Sequence, residues 1–340
     1  MKAFQLVASG QGEVRDVEVP EPRAGEVLVK VAGAGVCHSD LHLLRTQVLP
    51  YPMTLGHEPA GHVAALGPQV TGWTVGEPVI CYIVWGCGLC RRCAAGAENA
   101  CERFPRGMVP GPGLGHPGAM AEYLVAPARC LVPLGRLDPV DAAPLADAAL
   151  TPYHAIDRCR ALLTPSATAV VIGVGGLGHM AVQILRAVTS SRIVAVDVDE
   201  SRLAAARGYG ADDTVPAGPD AAARVLGLTR GLGAEVVLDF VGTDGTLALG
   251  ASVVSSYGHI STVGLAGGSL PFPAAAVGLP WGVTITKPYG GTRADLHEVL
   301  ALAAAGRIRA TVERHPLSAA MSVLKRLEAV EVTGRAVLVP

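Results

Sequence analysis

Two patterns of hydrophobic and polar positions divide the chain. From residue 1 to about 145, short alternating runs such as Val27–Val31 are broken by many Gly and Pro residues, which is typical of a β-rich domain with long loops. From about 146 to 284, apolar runs alternate with Ala-rich segments, which indicates a parallel sheet with helices between its strands. The predicted strands are Thr168–Ile172, Arg192–Val196, Glu235–Phe240 and His259–Val263, and the predicted helices include Ser201–Ala206 and Ala221–Leu226.

The last stretch, residues 285–340, mixes one predicted helix, Arg293–Ala305, with strand-like segments at Arg309–Arg314 and Ala336–Val339. It is too short to form a core of its own, so we expect it to fold back onto the first domain. The sequence of 340 residues therefore predicts two domains of an α/β protein. A β-rich domain would comprise residues 1–145 and 285–340, and a doubly wound parallel-sheet domain residues 146–284.

The amino-acid composition limits the classes of binding partner that we expect for this protein. Half of the residues are hydrophobic, 16% are charged and the formal net charge is −2, so neither a nucleic acid nor an anionic membrane surface is expected as a partner. The uncharged stretch Ala167–Leu185 is rich in glycine, and a strand, a turn and a helix explain it better than a membrane span. The N-terminus lacks the features of a signal peptide, so we expect a cytoplasmic protein. Its eight cysteines then favour metal ligation over disulfides.

Four cysteines lie within fifteen residues: Cys87, Cys90, Cys93 and Cys101. Four thiolates at this spacing can surround one Zn²⁺ tetrahedrally, and because sulfur fills every position, such a site is structural. Two disulfides or four unbound thiols are the alternative. An iron–sulfur cluster is disfavoured because the bacterial pattern places Pro after the fourth cysteine, whereas Glu102 follows here. We therefore predict a structural zinc lobe over residues 86–101.

A second set of possible metal ligands is dispersed along the chain: Cys37, His57 and Asp147. A thiolate, an imidazole and a carboxylate would leave one position of a tetrahedral zinc open, which is the arrangement of catalytic sites. Taken singly, Cys37 could be a buried apolar thiol and His57 a hydrogen-bonded loop histidine. On the residues alone, both interpretations stay open.

A glycine-rich turn directly follows the predicted strand Thr168–Ile172 and opens a predicted helix. Its residues are Gly173, Val174, Gly175, Gly176, Leu177 and Gly178. In this context, the glycines let the backbone approach a pyrophosphate at the N-terminus of the helix. Asp197 ends the next strand, 24 residues after Gly173, where a carboxylate binds ribose hydroxyls and repels a 2′-phosphate. The pattern predicts an NAD site in preference to NADP; a glycine turn that binds nothing is the alternative.

These motifs together resemble the zinc-containing medium-chain alcohol dehydrogenase family along the whole chain. The matching segments are Gly35–Asp40, Gly56–Glu58, the four-cysteine lobe, Gly173–Gly178 and Val196–Asp197, with Pro144–Ala155 similar to bacterial secondary-alcohol dehydrogenases that act on bulky ketones. The resemblance implies a GroES-like catalytic domain and a Rossmann domain, with zinc and nicotinamide in a cleft between them. It also implies an enzyme that holds two zinc ions and transfers a hydride between NAD(H) and an alcohol/ketone pair.

The ligands of the catalytic zinc that the resemblance implies are Cys37, His57 and Asp147. Glu58 would lie close to the metal and exchange with water there. Asp147 departs from the family pattern, because better-known members have cysteine at this position. Its charge still helps to neutralise Zn²⁺, but a carboxylate donates less electron density than a thiolate, so we predict a more Lewis-acidic and more labile metal. Cys159 is a rival ligand, disfavoured by the charged residues around it. The remaining cysteines, expected to be core thiols, are Cys81 and Cys130.

The resemblance further implies a proton relay and cofactor contacts. Ser39 would take the proton of the substrate hydroxyl and pass it through the nicotinamide ribose to His42, for which an exposed histidine without a role is the alternative. Arg202 would lie beside the adenosine ribose, and Arg335 would reach the pyrophosphate. Two further residues expected along the cofactor are Val241 and Val263.

Substrate size is predicted from one position. The resemblance implies a bulky aromatic residue where this chain has Gly290, and glycine there predicts a wider pocket for bulky secondary alcohols or ketones. Leu49 and Trp85 are further pocket candidates, although core packing explains Trp85 better. A homo-oligomer, tetramer or dimer, is expected from the family alone. The alternative functions are an enal or iminium reductase of the same fold and a non-catalytic NAD-binding protein.

Overall fold

The computed structural model describes residues 1–46, 50–271 and 278–340, and within them the chain forms two compact units. The first unit comprises Met1–Leu150, Thr292–Ala304 and Ala310–Pro340. The second comprises Thr151–Gly291 and Ala305–Arg309. Both ends of the chain therefore belong to the first unit.

The β-strands of the described residues are numbered in chain order. They are β1 Lys2–Ala8, β2 Gln11–Asp16, β3 Glu26–Gly35, β4 Met53–Thr54, β5 Glu58–Leu66, β6 Pro78–Cys81, β7 Gly111–Pro112, β8 Gly115–His116, β9 Tyr123–Pro127, β10 Leu131–Pro133, β11 Thr168–Ile172, β12 Arg192–Asp197, β13 Asp213–Pro216, β14 Ala234–Asp239, β15 Val254–Thr262, β16 Thr284–Thr286, β17 Val312–Pro316 and β18 Arg335–Val339.

The α-helices follow the same numbering. They are α1 His38–Arg45, α2 Arg91–Ala94, α3 Pro139–Ala142, α4 Leu150–Arg158, α5 Gly178–Val188, α6 Glu200–Gly208, α7 Ala221–Leu228, α8 Asp244–Val253, α9 Arg293–Ala304 and α10 Ala320–Glu328. Short 3₁₀ turns cover Glu98–Ala100, Ala128–Cys130, Ala143–Ala146, Arg160–Leu162 and Leu317–Ala319. Each of these helices is too short or too polar to span a bilayer.

The first unit is built around β3. This long strand pairs with β5, β9 and β18, and the main sheet runs β10-β6-β5-β3-β18-β17. Its alternating apolar residues face the core, as in Val27 and Val29, which are buried. Close strand approach requires small residues in β5, because a Cβ at Gly61 would overlap the carbonyl oxygen of Lys30. The carboxyl end of β3 leads directly into the segment that begins with Cys37.

The second unit contains a six-stranded sheet in the order β13-β12-β11-β14-β15-β16, with every pair parallel. This is the strand order of the doubly wound dinucleotide-binding fold. The predicted strand at residues 168–172 has the bounds of β11, the one at 192–196 ends one residue before β12 does, and the one at 235–240 is shifted by one residue from β14. By contrast, β15 starts at Val254, five residues before the predicted strand, because polar residues and the positive φ of Tyr257 interrupt its apolar pattern.

Candidate active site

The loop between β3 and α1 positions the first candidate ligand. Cys37 is the N-cap residue of α1, and its backbone N–H donates to Oδ2 of Asp40 at 2.9 Å. Asp40 is completely buried, so this bond fixes the turn from inside the protein. The thiol of Cys37 is buried as well and points to the other candidate ligands.

His57 lies between two carboxylates. Its Nδ1 is 3.3 Å from Oδ1 of Asp40, and its Nε2 is 3.6 Å from Oδ2 of Asp147. Metal-binding histidines commonly present one ring nitrogen to the ion while a carboxylate orients the other. Our sequence analysis gave Asp40 no role, although it lies inside the quoted motif. The signal that could have identified it is its place three residues after the candidate ligand Cys37, because a carboxylate commonly orients a ligand histidine.

Asp147 is brought to the same place from a distant segment. It ends the 3₁₀ turn Ala143–Ala146, which packs against β3, β5 and β18. Its Oδ2 lies 3.5 Å from Sγ of Cys37. The four donor atoms of Cys37, His57, Glu58 and Asp147 all lie within 4.8 Å of one another, and all four residues are buried.

Glu58 starts β5 and is bound by an arginine from the other end of the chain. Nε of Arg335 lies 3.0 Å from both carboxylate oxygens of Glu58, and Nη2 bonds to Oε1. The same Nη2 donates to Oδ2 of Asp147 at 3.1 Å. The carboxylate fits beside β3 because residue 35 is glycine: a Cβ there would overlap Oε2 of Glu58. Arg335, implied to contact a pyrophosphate, thus contacts two carboxylates here.

The electrostatics of this cluster favour a cation. Burial lowers the pKa of His57, but the negative charge of Asp40 and hydrogen bonds with Asp147 raise it well above its ordinary value. Burial raises the pKa of Glu58 to about 7, against the opposing charge of Arg335. A thiol, an imidazole and carboxylates held together in a buried space match the donors that zinc prefers. The residues present therefore fit a catalytic zinc with three protein ligands.

The relay candidates share one helix. Ser39 is partly buried on α1, and its Oγ lies 3.8 Å from Sγ of Cys37. His42 is exposed, three residues further along the same helix. Residues three apart lie on one helix face, so Ser39 and His42 lead from the buried cluster toward the surface of this unit.

The four-cysteine lobe forms a compact cluster of sulfur atoms. Sγ of Cys87 is 3.9 Å from that of Cys93, and Sγ of Cys90 is 3.9 Å from that of Cys101. Backbone N–H groups of Leu89 and Cys90 donate to Sγ of Cys87 and lower its pKa to about 6. Burial raises the pKa of Cys93 to about 12. All eight cysteines of the chain are free thiols, and the geometry of these four fits a closed zinc site.

The glycine-rich turn lies in the second unit between β11 and α5. Gly173 has a φ of +85°, and a Cβ there would come within 2.5 Å of Val241. A Cβ at Gly178 would overlap the carbonyl oxygen of Gly173, whereas a Cβ at Gly175 would meet only the end of the Arg202 side chain, at 4.0 Å. Leu177 caps α5, and Gly176 precedes it. The turn therefore leaves its backbone open to a ligand, which suits a pyrophosphate.

The other predicted cofactor residues surround this turn. Oδ2 of Asp197 accepts the Val174 N–H at 2.6 Å, and Oδ1 accepts the Asp199 N–H at 3.0 Å, so the carboxylate is fixed at the end of β12. Nη1 of Arg202 lies 4.0 Å from the position of a Cβ on Gly175. Val241 and Val263 follow the adjacent strands β14 and β15. Their backbone N–H groups bond to Asp239.

Several predicted residues lie elsewhere. Cys159 is buried at the end of α4, where its thiol donates to backbone carbonyls and burial raises its pKa to about 12. Cys81 and Cys130 are buried on and beside neighbouring strands. Trp85 is buried and donates to the carbonyl of Tyr82 at 2.8 Å. Leu49 lies outside the described residues.

Comparisons with known proteins agree with this architecture. Residues 23–136 match the alcohol dehydrogenase GroES-like domain family, and residues 176–305 match the zinc-binding dehydrogenase family. An NAD-dependent alcohol dehydrogenase of Sulfurisphaera tokodaii is 36% identical, with 100% of both chains covered.

Two solved structures extend the likeness. The alcohol dehydrogenase of Aeropyrum pernix superposes with a TM-score of 0.94 at 37% identity, covering 100% of both chains. The acetophenone reductase of Geotrichum candidum, solved in complex with NAD, gives a TM-score of 0.89 at 31% identity, covering 100% of this chain and 97% of the other. The fold class predicted from the sequence, a GroES-like domain plus a Rossmann-type domain, is thereby confirmed. The chain belongs to the zinc-type medium-chain alcohol dehydrogenase family.

Proposed function

We propose that this protein is a zinc-dependent alcohol dehydrogenase or carbonyl reductase that uses NAD(H). The observation that carries the proposal is the position of three buried residues that come from distant segments of the chain. The donor atoms of Cys37, His57 and Asp147 lie close together. Such a donor set has no structural need in a unit that already contains the four-cysteine lobe. Members of the family with similar chains are named for the same reaction class, which supports the proposal.

The proposed metal roles differ between the two clusters. Cys37, His57 and Asp147 would hold one zinc and leave a position for substrate, while Cys87, Cys90, Cys93 and Cys101 would hold the other and leave none. When bound, the catalytic zinc would polarise the carbonyl of the ketone or acidify the alcohol, and the nicotinamide would exchange the hydride. Asp40 would orient the imidazole of His57.

The chain's own residues would move the proton. Ser39 would exchange it with the substrate oxygen, and His42, exposed three residues further along the same helix face, would pass it to water. The Oγ of Ser39 lies 3.8 Å from Sγ of Cys37, which supports a role beside a substrate bound next to that ligand. If His42→Ala leaves the pH–rate profile unchanged, His42 has no role in proton transfer.

The cofactor would bind to the second unit. Gly173–Gly178 would receive the pyrophosphate at the start of α5, and the buried carboxylate of Asp197 would accept the ribose hydroxyls. Arg202, Val241 and Val263 would complete the contacts. A 2′-phosphate would bring negative charge to Asp197, which favours NAD over NADP.

We also propose a substrate class, an oligomeric state and a location in the cell. A small alcohol or ketone is the substrate class, and the likeness to an acetophenone reductase supports bulky secondary substrates. Gly290, with a φ of +52°, leaves no side chain at the position predicted to widen the pocket. We also propose a homo-oligomer, either dimer or tetramer, working in the cytoplasm, where free cysteine thiols persist.

The proposal is tested by counting metals and measuring turnover together. We expect two zinc ions per chain by mass spectrometry, and higher kcat/KM for 1-phenylethanol than for ethanol with NAD⁺. One zinc per chain would favour the reductase that needs no catalytic metal, and two zincs without turnover on a broad alcohol and ketone panel would favour a non-catalytic NAD-binding protein. Ethanol exceeding 1-phenylethanol would contradict the bulky pocket alone.

A further inference from the structure

The second unit contains a carboxylate, at the carboxyl edge of its sheet, that the proposed function does not use. Asp239 is the last residue of β14, and its side chain is completely buried. Burying a carboxylate is costly unless hydrogen bonds compensate for its lost hydration. Unlike Asp197, which we propose to bind the ribose, Asp239 has no exposed surface with which to contact a ligand. Its role must therefore be exerted through its neighbours.

The hydrogen bonds of Asp239 go to the two loops that follow β14 and β15. Its Oδ1 accepts the N–H groups of Val241 at 2.8 Å and Gly242 at 3.0 Å. Its backbone carbonyl accepts the N–H groups of Val263 at 2.8 Å and Gly264 at 3.0 Å. One residue thus holds two backbone donors from each loop. The bonds to its carboxylate are charge-assisted, which makes them stronger than bonds between neutral groups.

The same two loops are also bonded to each other. The N–H of Ala266 donates to the carbonyl of Val241 at 3.2 Å, and the N–H of Gly268 donates to the carbonyl of Gly242 at 2.9 Å. This close approach requires glycine at position 264, because a Cβ on Gly264 would overlap the backbone of Val241. The loops therefore pack backbone against backbone, and a shift of the first loop would displace the second.

This pair of loops meets the glycine-rich turn through one side chain. A Cβ on Gly173, the first glycine of the turn, would lie 2.5 Å from Cγ2 of Val241. The strands that lead into the turn and into the first loop, β11 and β14, are adjacent and parallel. Val241 and Val263 are also two of the residues that we propose to contact the cofactor. Asp239 therefore fixes the backbone of two proposed cofactor contacts from inside the protein.

We propose that Asp239 is a positioning residue for the cofactor. It holds the loops after β14 and β15 in their binding conformation before NAD(H) arrives, and it thereby sets the affinity for the cofactor and not the rate of the hydride step. Loops that are ordered in advance lose less conformational entropy when a ligand binds. This inference rests on the proposed function, because it requires a dinucleotide at the glycine-rich turn.

The test compares D239L, D239N and the wild type as full-length, zinc-loaded proteins, by NADH titration and steady-state kinetics. Leucine resembles aspartate in shape but accepts no hydrogen bond, so we expect the Kd for NADH to rise about 10- to 100-fold in D239L. Its kcat at saturating NAD⁺ should stay within about twofold of the wild-type value, because lost uniform binding raises KM alone. Asparagine keeps an oxygen acceptor, so D239N should restore the Kd to within about threefold of the wild-type value.

T229V is the matched control, at the other end of the same strand. The buried hydroxyl of Thr229 accepts the N–H of Gly233 at 3.1 Å, directly before β14. Valine has the shape of threonine but lacks this acceptor, so T229V should lower the Tm, as D239L should, without changing the Kd for NADH. If T229V raises the Kd as much as D239L does, cofactor affinity follows the stability of the whole unit and the inference is wrong.

Hydrogen exchange in the wild type provides the test if D239L does not fold. The amides of Val241 and Gly242 should exchange slowly in the cofactor-free protein and change little when NADH is added. Fast exchange that becomes slow only with NADH would overturn the inference, and so would an unchanged Kd in D239L. A wild-type protein that does not bind NADH would instead show that the proposed function itself is wrong.

Discussion

The two candidate metal sites of the first unit differ in how the chain assembles them. The four-cysteine cluster comes from fifteen consecutive residues, and two of its cysteines are partly exposed. The dispersed cluster joins residues from Cys37 to Arg335, and every candidate ligand in it is buried. A local cluster can hold its loop together with little help from the rest of the fold. A dispersed cluster depends on the completed sheet, and its open position is therefore a property of tertiary structure.

The largest expected effect separates the sites by activity. Asp147→Ala removes a proposed anionic ligand from the dispersed cluster, so we expect kcat/KM to fall by at least about 10³-fold, since metal assistance contributes several kcal/mol and about 1.4 kcal/mol corresponds to tenfold. The zinc content should drop from two ions to one per chain. Asp141→Ala, at the surface six residues earlier, is the control and should retain full activity. Two zincs and full turnover in Asp147→Ala would refute the ligand assignment.

The second largest expected effect distinguishes the two metal sites by their contribution to thermal stability. Cys90→Ser should empty the four-cysteine cluster, because Cys90 also accepts the N–H groups of Cys93 and Glu102 that order the lobe. We expect the Tm to fall by several degrees, because metal binding in such lobes is coupled to their folding. The loss of kcat/KM should be smaller than in Asp147→Ala.

Leu89→Ser is the control for this variant, because residue 89 is 80% exposed and lies between two ligands without being one. It should keep both zincs and the wild-type Tm. If Cys90→Ser does the same, the lobe is not a zinc site. If Cys90→Ser loses activity as completely as Asp147→Ala, the assignment of a structural role to one cluster and a catalytic role to the other is wrong.

The contrast also explains what could be predicted from sequence. Spacing alone predicted the four-cysteine cluster, because its ligands are local and their order in the chain is their order in space. The same holds for the glycine turn and β11, where a buried apolar run ends directly in the glycines. For the dispersed cluster, the residues left both interpretations open, and the family resemblance supplied the ligand set.

The sequence could not predict which residues contact each other when they are far apart in the chain. Arg335 is distant in the chain from Glu58, and no pattern around either residue indicates that they form a buried pair. Asp40 was inside a recognised motif, yet its contact with His57 depends on how α1 meets β5. The early start of β15 was missed for a related reason, because its pairing with β14 outweighs its polar residues.

Two glycines offer a finer comparison of the sites. A Cβ on Gly35 would overlap Oε2 of Glu58 in the dispersed cluster, and a Cβ on Gly86 would lie 2.9 Å from Sγ of Cys93 in the lobe. We expect both alanine variants to lose about 1–3 kcal/mol of stability through overpacking. Gly35→Ala should also lower kcat/KM, since it displaces Glu58, whereas Gly86→Ala should not. Gly107→Ala, where a Cβ meets open space, is the control.

Equal loss of activity in Gly35→Ala and Gly86→Ala would contradict this prediction. Activity would then follow global stability, and the space beside Glu58 would have no specific role. Thermal unfolding measured together with kcat/KM for each variant separates the two explanations.

The smallest expected effect tests the ligand chemistry itself. Asp147→Cys makes the dispersed cluster more like the lobe by adding a second sulfur, and it removes the hydrogen bond from Arg335. A thiolate donates more electron density than a carboxylate, so a chelator should remove this zinc about tenfold more slowly, which corresponds to roughly 1.4 kcal/mol. Release from the four-cysteine cluster of the same molecules provides the internal reference and should not change. Faster release in Asp147→Cys would mean that the contact with Arg335 contributes more to holding the metal than the identity of the donor atom.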